Sequence, residues 1–156
     1  MSPFKFDESL RYNNELIKHP VEYFRKSGCQ SWLYLVGEEF SSMEGGMSFD
    51  QVRQATPDCI NVISDPPRNL TIDLAKQHIS ALDKLPRPTL ISCRTGPRAS
   101  AVAYLYAGLS QGANADEVLS EAEKDGAPFT KMEELKTWVR STMNILGADK
   151  LYHEKG

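Results

Sequence analysis

Seven consecutive residues, Ser92-Cys93-Arg94-Thr95-Gly96-Pro97-Arg98, bring together a nucleophile, a glycine turn and two guanidinium groups. They follow a short apolar run, Thr89-Leu90-Ile91, and precede a helix expected from about Ala99 to Ser110. A cysteine at the end of a strand, followed by a tight loop and a helix start, is the layout of an anion cradle. Successive backbone N–H groups point inward, and the positive end of the helix dipole adds to their field. Such a field favours thiolate over thiol, and the thiolate is the reactive form. An ordinary thiol with a pKa of about 8.5 is a few per cent ionised at neutral pH, whereas one at about 5.5 is nearly all thiolate. Arg98 can fork onto two oxygens of a bound oxyanion. A cysteine after an apolar run is more often a buried small hydrophobe. Gly96, Arg94, Arg98 and the strand–loop–helix setting weigh against that reading for Cys93. Cys29 and Cys59 lack such a setting and read as packing cysteines.

Strands and helices must hold this loop in place. Trp32–Val36, Ile60–Ile63 and Thr89–Ser92 read as buried strands. Pro20 at a first helical position, with Gly28 as a stop, marks one helix. Ser48 with Gln51 is a capping box for a short second one. Ile72, Ala75, Ile79 and Leu82 recur at helical spacing from Thr71 to about Leu85. Beyond the loop the pattern is wholly helical. Asn114 with Glu117 opens one helix, stopped at Gly126. Thr130 with Glu133 opens another, with Leu135, Trp138, Val139 and Met143 on its core face. Glu38–Met47 is the most loop-like stretch, expected at the rim of the site, and Tyr152–Gly156 reads as a tail. Strands alternating with helices imply a three-layer α/β/α fold with a mainly parallel sheet. The loop then lies at the carboxyl end of a strand, where ligands bind in such sheets.

The bulk properties fit one domain, residues 1–156. A hydrophobic fraction of 40% and a charged fraction of 25% are ordinary for a globular protein. A net charge of −3 offers no basic surface for nucleic acid or acidic membranes. No apolar stretch approaches the ~20 residues of a membrane helix, and the first residues lack a signal peptide's apolar core. Three cysteines at unrelated spacings form neither a disulfide framework nor a zinc pattern. A reducing cytoplasm is the expected location, with no metal and no cofactor.

The loop resembles two families. Dual-specificity phosphatases carry His-Cys-x2-Gly-x2-Arg-Ser/Thr, which this chain matches at Cys93, Gly96 and Ser100. Ser92 replaces the histidine, Ala99 stands at the usual arginine position, and Arg98 comes one place early. Rhodaneses carry Cys-Arg-Ser-Gly-x-Arg, which Arg98 fits by spacing. The phosphatase-like domain of bacterial beta-lactamase-hydrolase-like proteins is a nearer match, because it commonly carries Cys-Arg-Thr-Gly-Thr-Arg. That resemblance extends over most of the chain and includes an early strand near Leu10–Tyr12.

The resemblance implies a cysteine-dependent, dual-specificity-like phosphatase fold and hydrolysis of phosphate monoesters through a phosphocysteine. The substrate would be a phosphorylated protein or a small aryl phosphate. Cys93 would be the nucleophile, and Arg98 with Arg94, Thr95, Gly96 and Pro97 would hold the phosphate. Ser100 would hydrogen-bond the sulfur, although an ordinary first-turn serine is the commoner reading. A leaving oxygen needs a proton. The resemblance places its donor at Asp65, in Asn61-Val62-Ile63-Ser64-Asp65-Pro66-Pro67; an Asp before Pro equally well begins a turn. Asp73 is the fallback, and Asn69 stands where the nearer family often has an aspartate. Arg68 and Arg94 would add positive field at the mouth, or be solvated. Two alternatives stay open: a rhodanese-like sulfurtransferase carrying a persulfide on Cys93, and a non-catalytic oxyanion or phosphopeptide binder. The helical pattern after the loop favours the phosphatase, because rhodaneses continue there with a strand.

Overall fold

The computed structural model describes residues 4–44, 47–64 and 69–147. Asp65, Arg68 and the Tyr152–Gly156 tail lie outside the described residues.

The strands among the described residues are β1 (Leu10–Tyr12), β2 (Ser31–Tyr34), β3 (Cys59–Asn61) and β4 (Thr89–Ser92). They form one sheet in the order β1-β4-β2-β3, and every neighbouring pair is parallel. All residues of the two central strands are buried, while the edge strands β1 and β3 are partly exposed. This is why the central strands read as continuous apolar runs in the sequence and β1 barely registers. Polar side chains within the central strands find partners across the sheet. Ser31 Oγ lies 2.8 Å from Thr89 Oγ1, and the Trp32 indole donates to Ser92 Oγ at 2.8 Å. Unpaired, each such group would cost about 1–3 kcal/mol.

The helices among the described residues are α1 (Pro20–Ser27), α2 (Phe49–Ala55), α3 (Ile72–Lys84), α4 (Pro97–Gln111), α5 (Ala115–Asp125) and α6 (Glu133–Leu146). The Ser48–Gln51 and Asn114–Glu117 capping boxes both form. Pro20 opens α1, and Gly28 at φ 73° closes it. α4 packs on β4 and β1 beneath it and on α5 and α6 above. It is therefore buried nearly all round, and its alanines allow the close approach. A Cβ on its Gly108 would lie 2.5 Å from Val118 Cγ2.

The expected α6 start needs correction. Thr130 does not cap that helix: its hydroxyl donates to Ala127 O at 2.7 Å within a 3-10 turn, Pro128–Lys131, and α6 begins at Glu133. Pro128 sets the backbone for that short turn before the helix can start. The three-layer arrangement with a parallel sheet is otherwise as the sequence predicts. Among the described residues, no helix is long and apolar enough to cross a membrane, and no cluster of acidic, histidine and cysteine side chains could hold a metal ion.

Candidate active site

β4 ends at Ser92, and Cys93 is the next residue, so the sheet delivers the sulfur to the carboxyl edge of its central strands. Gly96 then turns the chain at φ 117°, and Pro97 opens α4. Gly96 is required twice over. Its φ is foreign to other residues, and a Cβ there would lie 2.3 Å from Asn13 O and 2.9 Å from Asn14 Cα. Pro97 has no N–H to lose at the first helical position.

The loop wraps the sulfur. Gly96 N–H donates to Cys93 Sγ at 3.1 Å and Ala99 N–H at 3.4 Å. The amides of Arg98 and Thr95 also act on it. These are the converging amides that the strand–loop–helix pattern implies. The net balance on the thiol differs from the sequence-based expectation of a lowered pKa. Burial pushes the Cys93 thiol up from its ordinary value, and the four amides pull it back only in part. The sequence showed the donors but not that the residue is only 6% exposed.

Asn13, just beyond β1, is a residue that sequence reasoning missed. It is fully buried. Its Oδ1 accepts from Cys93 N–H at 3.1 Å, and its Nδ2 donates to Cys93 O at 2.9 Å and to Glu15 O at 2.9 Å. One side-chain amide thus clamps both polar groups of the Cys93 backbone. The sequence signal was only an asparagine after a three-residue strand.

Arg98 lines the same pocket as Cys93, Arg94, Thr95 and Pro97, a space of about 480 Å³. Its Nη1 donates to Ser64 O. Arg94 donates through Nε and Nη2 to Glu44 O at 3.3 and 3.1 Å. It is therefore tied to the segment after the 3-10 turn Glu38–Phe40. Phe40, within the stretch expected at the rim, lines the pocket. Met132 and Glu134, from the start of α6, complete the wall; neither was singled out from sequence.

Ser100 takes partners other than the sulfur. It is fully buried, its hydroxyl donates to Pro97 O at 2.8 Å, and it accepts from Phe129 N–H at 3.1 Å. It thereby braces the first turn of α4 against the 3-10 turn before α6. Asp73 lies exposed in the first turn of α3, and Asn69 lines a separate groove with Trp138 and Ile145. Neither lines the Cys93 pocket.

No family model and no curated protein matches this sequence. Solved structures do. Tk-PTP, in a mutant form, superposes with a TM-score of 0.72 at 13% identity, covering 93% of this chain and 96% of that one. A candidate phosphatase from Neisseria meningitidis gives 0.62 at 19% identity, with 92% and 98% covered. Another from Shewanella putrefaciens gives 0.60 at 22%, with 89% and 88% covered. The likeness in every case spans nearly the whole of both chains, and at these identities it establishes that this chain shares the α/β fold of these structures.

Proposed function

We propose that the protein is a cysteine-dependent phosphatase acting on phosphate monoesters of proteins or small aryl compounds. The observation that carries this reading is the convergence of loop amides on Cys93 Sγ beside Arg98, at the N-terminus of α4. Amides aimed at one point, with a forked cation beside it, match the equatorial oxygens of a phosphoryl group in transfer.

In the proposed reaction the Cys93 thiolate attacks phosphorus in line. A P–S bond forms as the P–O bond to the leaving group breaks. The amides of the loop and the Arg98 guanidinium hold the non-bridging oxygens. The leaving oxygen takes a proton, for which Asp65 is the candidate donor. Water then attacks phosphorus, the P–S bond breaks, and inorganic phosphate leaves with the thiolate restored. Phe40 and Met132 on the walls suit an aromatic leaving group. The Cys-Arg-Thr-Gly-x-Arg likeness to the phosphatase-like domain of beta-lactamase-hydrolase-like proteins supports this reading.

The test is hydrolysis of p-nitrophenyl phosphate by the wild type and Cys93→Ser in parallel. Turnover between about pH 5 and 7 that vanishes in the variant is the expected result. Activity there draws on the thiolate, which the loop amides favour and burial opposes. Turnover that survives in Cys93→Ser, or its absence in the wild type, would sink the proposal. Sulfur transfer from thiosulfate to cyanide would then be measured, because Arg98 also has the rhodanese spacing.

A further inference from the structure

Behind Arg98 lies a buried histidine that the mechanism above does not use. His78, on α3, is 1% exposed. Its Nε2 lies 2.7 Å from Ser64 Oγ. That hydroxyl has one proton, and it donates to Val62 O at 2.8 Å. Ser64 Oγ is therefore the acceptor towards His78, and the ring carries its proton on Nε2. Ser64 N–H donates to Leu35 O at 2.9 Å, which ties the same residue to the chain leaving β2. Ser64 is thus held at its amide and its hydroxyl, and its remaining polar group, the carbonyl, receives Nη1 of Arg98.

The far side of the ring is fixed by packing. Trp138 of α6 meets it edge-on, with centroids 5.8 Å apart, and the indole donates to Thr71 O at 3.0 Å, at the start of α3. His78 Nδ1 is buried with no hydrogen-bond partner among the described residues. Stability alone gives little reason for this arrangement, since an apolar ring would fill the same space without taking two ring nitrogens out of water. The polar atom that does find a partner is the one facing Ser64.

We propose that His78 is a positioning residue for oxyanion binding: through Ser64 it fixes the carbonyl that holds the Arg98 guanidinium at the Cys93 pocket. A guanidinium has five N–H donors in a rigid fork. Committing one Nη1 proton to Ser64 O sets the plane of that fork and leaves the others for an oxyanion. An arginine without this anchor would spend part of its time in other rotamers, and binding would carry the entropy of restoring the productive one. The proposal deepens the phosphatase reading and rests on it for the identity of the anion.

The experiment uses the full chain and two readouts. One is turnover of p-nitrophenyl phosphate. The other is protection of Cys93 from iodoacetamide by inorganic phosphate, followed by mass spectrometry, which needs no catalysis. His78→Phe removes the donor and keeps a ring. It is expected to weaken phosphate protection and raise KM roughly tenfold, the scale of one lost hydrogen bond to a charge-bearing network. His78→Gln can present an amide N–H where Nε2 stood and is expected to stay within about threefold of wild type. In an Arg98→Ala background, His78→Phe should change nothing further, because its effect runs through Arg98. Ser64→Ala gives the same loss as His78→Phe and carries the test should the latter fail to fold by circular dichroism.

Equal protection in wild type, His78→Phe and Ser64→Ala overturns the proposal. So does a glutamine variant as impaired as the phenylalanine one, or a full additional loss in the Arg98→Ala background. Wild-type protein that phosphate does not protect overturns it as well. Protection that depends on His78 in a protein that turns over no aryl phosphate sinks the phosphatase reading and leaves the positioning role standing.

Discussion

Cys93 and Cys59 sit at opposite ends of the same parallel sheet. Cys59 opens β3 and pairs with Trp32 at the start of β2, whereas Cys93 follows Ser92, which pairs with Tyr34 at the end of β2. Cys59 is the more exposed of the two. Burial pushes both thiols up, but the opposing forces differ in kind. At Cys59 the downward pull comes from the Arg53 side chain, and Asp58 works against it. At Cys93 it comes from four backbone amides. A side chain can swing away or be screened by solvent, whereas loop amides are fixed by the fold and point where charge would develop. Accessibility alone favours Cys59, whereas the amides single out Cys93. Only the carboxyl end of the sheet, where α4 begins, sets converging amides around a sulfur.

The comparison breaks most directly through the cysteines. Cys93→Ser is expected to lower p-nitrophenyl phosphate turnover by about 10³-fold or more, the scale seen when an enzyme loses its nucleophile. Gly96→Ala tests the loop that distinguishes the two ends. Its Cβ would meet Asn13 O at 2.3 Å in a backbone region that L side chains rarely adopt. A loss of about 2–4 kcal/mol in urea unfolding, with turnover lost in parallel, is expected. Wild-type stability in this variant would mean that the loop is not held against Asn13.

Asn13→Ala removes the clamp and leaves the buried Cys93 N–H without its acceptor. A destabilisation of about 1–3 kcal/mol follows. Differential scanning calorimetry with parallel kinetics checks it, and an unchanged kcat would separate the clamp from the chemistry.

His78 gives a pH signature at the same end of the sheet. Its pKa is lowered from 6.5 to about 3, by burial first and by the Arg98 charge second. Between those values the unfolded chain takes up a proton that the folded ring refuses. Stability from this group is therefore complete above 6.5 and falls as the pH drops towards 3, at up to about 1.4 kcal/mol per unit. Urea unfolding at intervals from about pH 7 down to about pH 4 should show a steeper acid loss in the wild type than in His78→Gln. Matching slopes would contradict the burial of an uncharged ring. The smallest effect belongs to Cys59→Ser, which is expected to leave turnover within about twofold of wild type.

Much of this architecture could be read along the chain. The two central strands were legible because burial on both faces leaves an uninterrupted apolar run. Most helices were legible in outline because caps and stops such as Ser48 with Gln51, Asn114 with Glu117, Gly28 and Gly126 are local chemistry. The start of α6 was not, because Thr130 serves a 3-10 turn that outcompetes it. The turn at Gly96 after Cys93 and the helix start at Pro97 were legible because both depend on neighbours within a few residues.

Contacts that cross the sheet left no such trace. Asn13 meets Cys93 across 80 positions of sequence. Ser64 and His78 reach Arg98, and Phe40 and Met132 line one pocket, only because parallel strands and their crossover helices bring distant segments to one edge. The anion-cradle loop and the α/β alternation are written in the order of residues, since both depend on short-range backbone geometry and periodic burial. The thiol's balance between burial and amides, the commitment of Ser100 to Phe129 and the bracing of Arg98 from behind were set by packing. They depend on which groups are excluded from water together, and no local pattern along a chain records that.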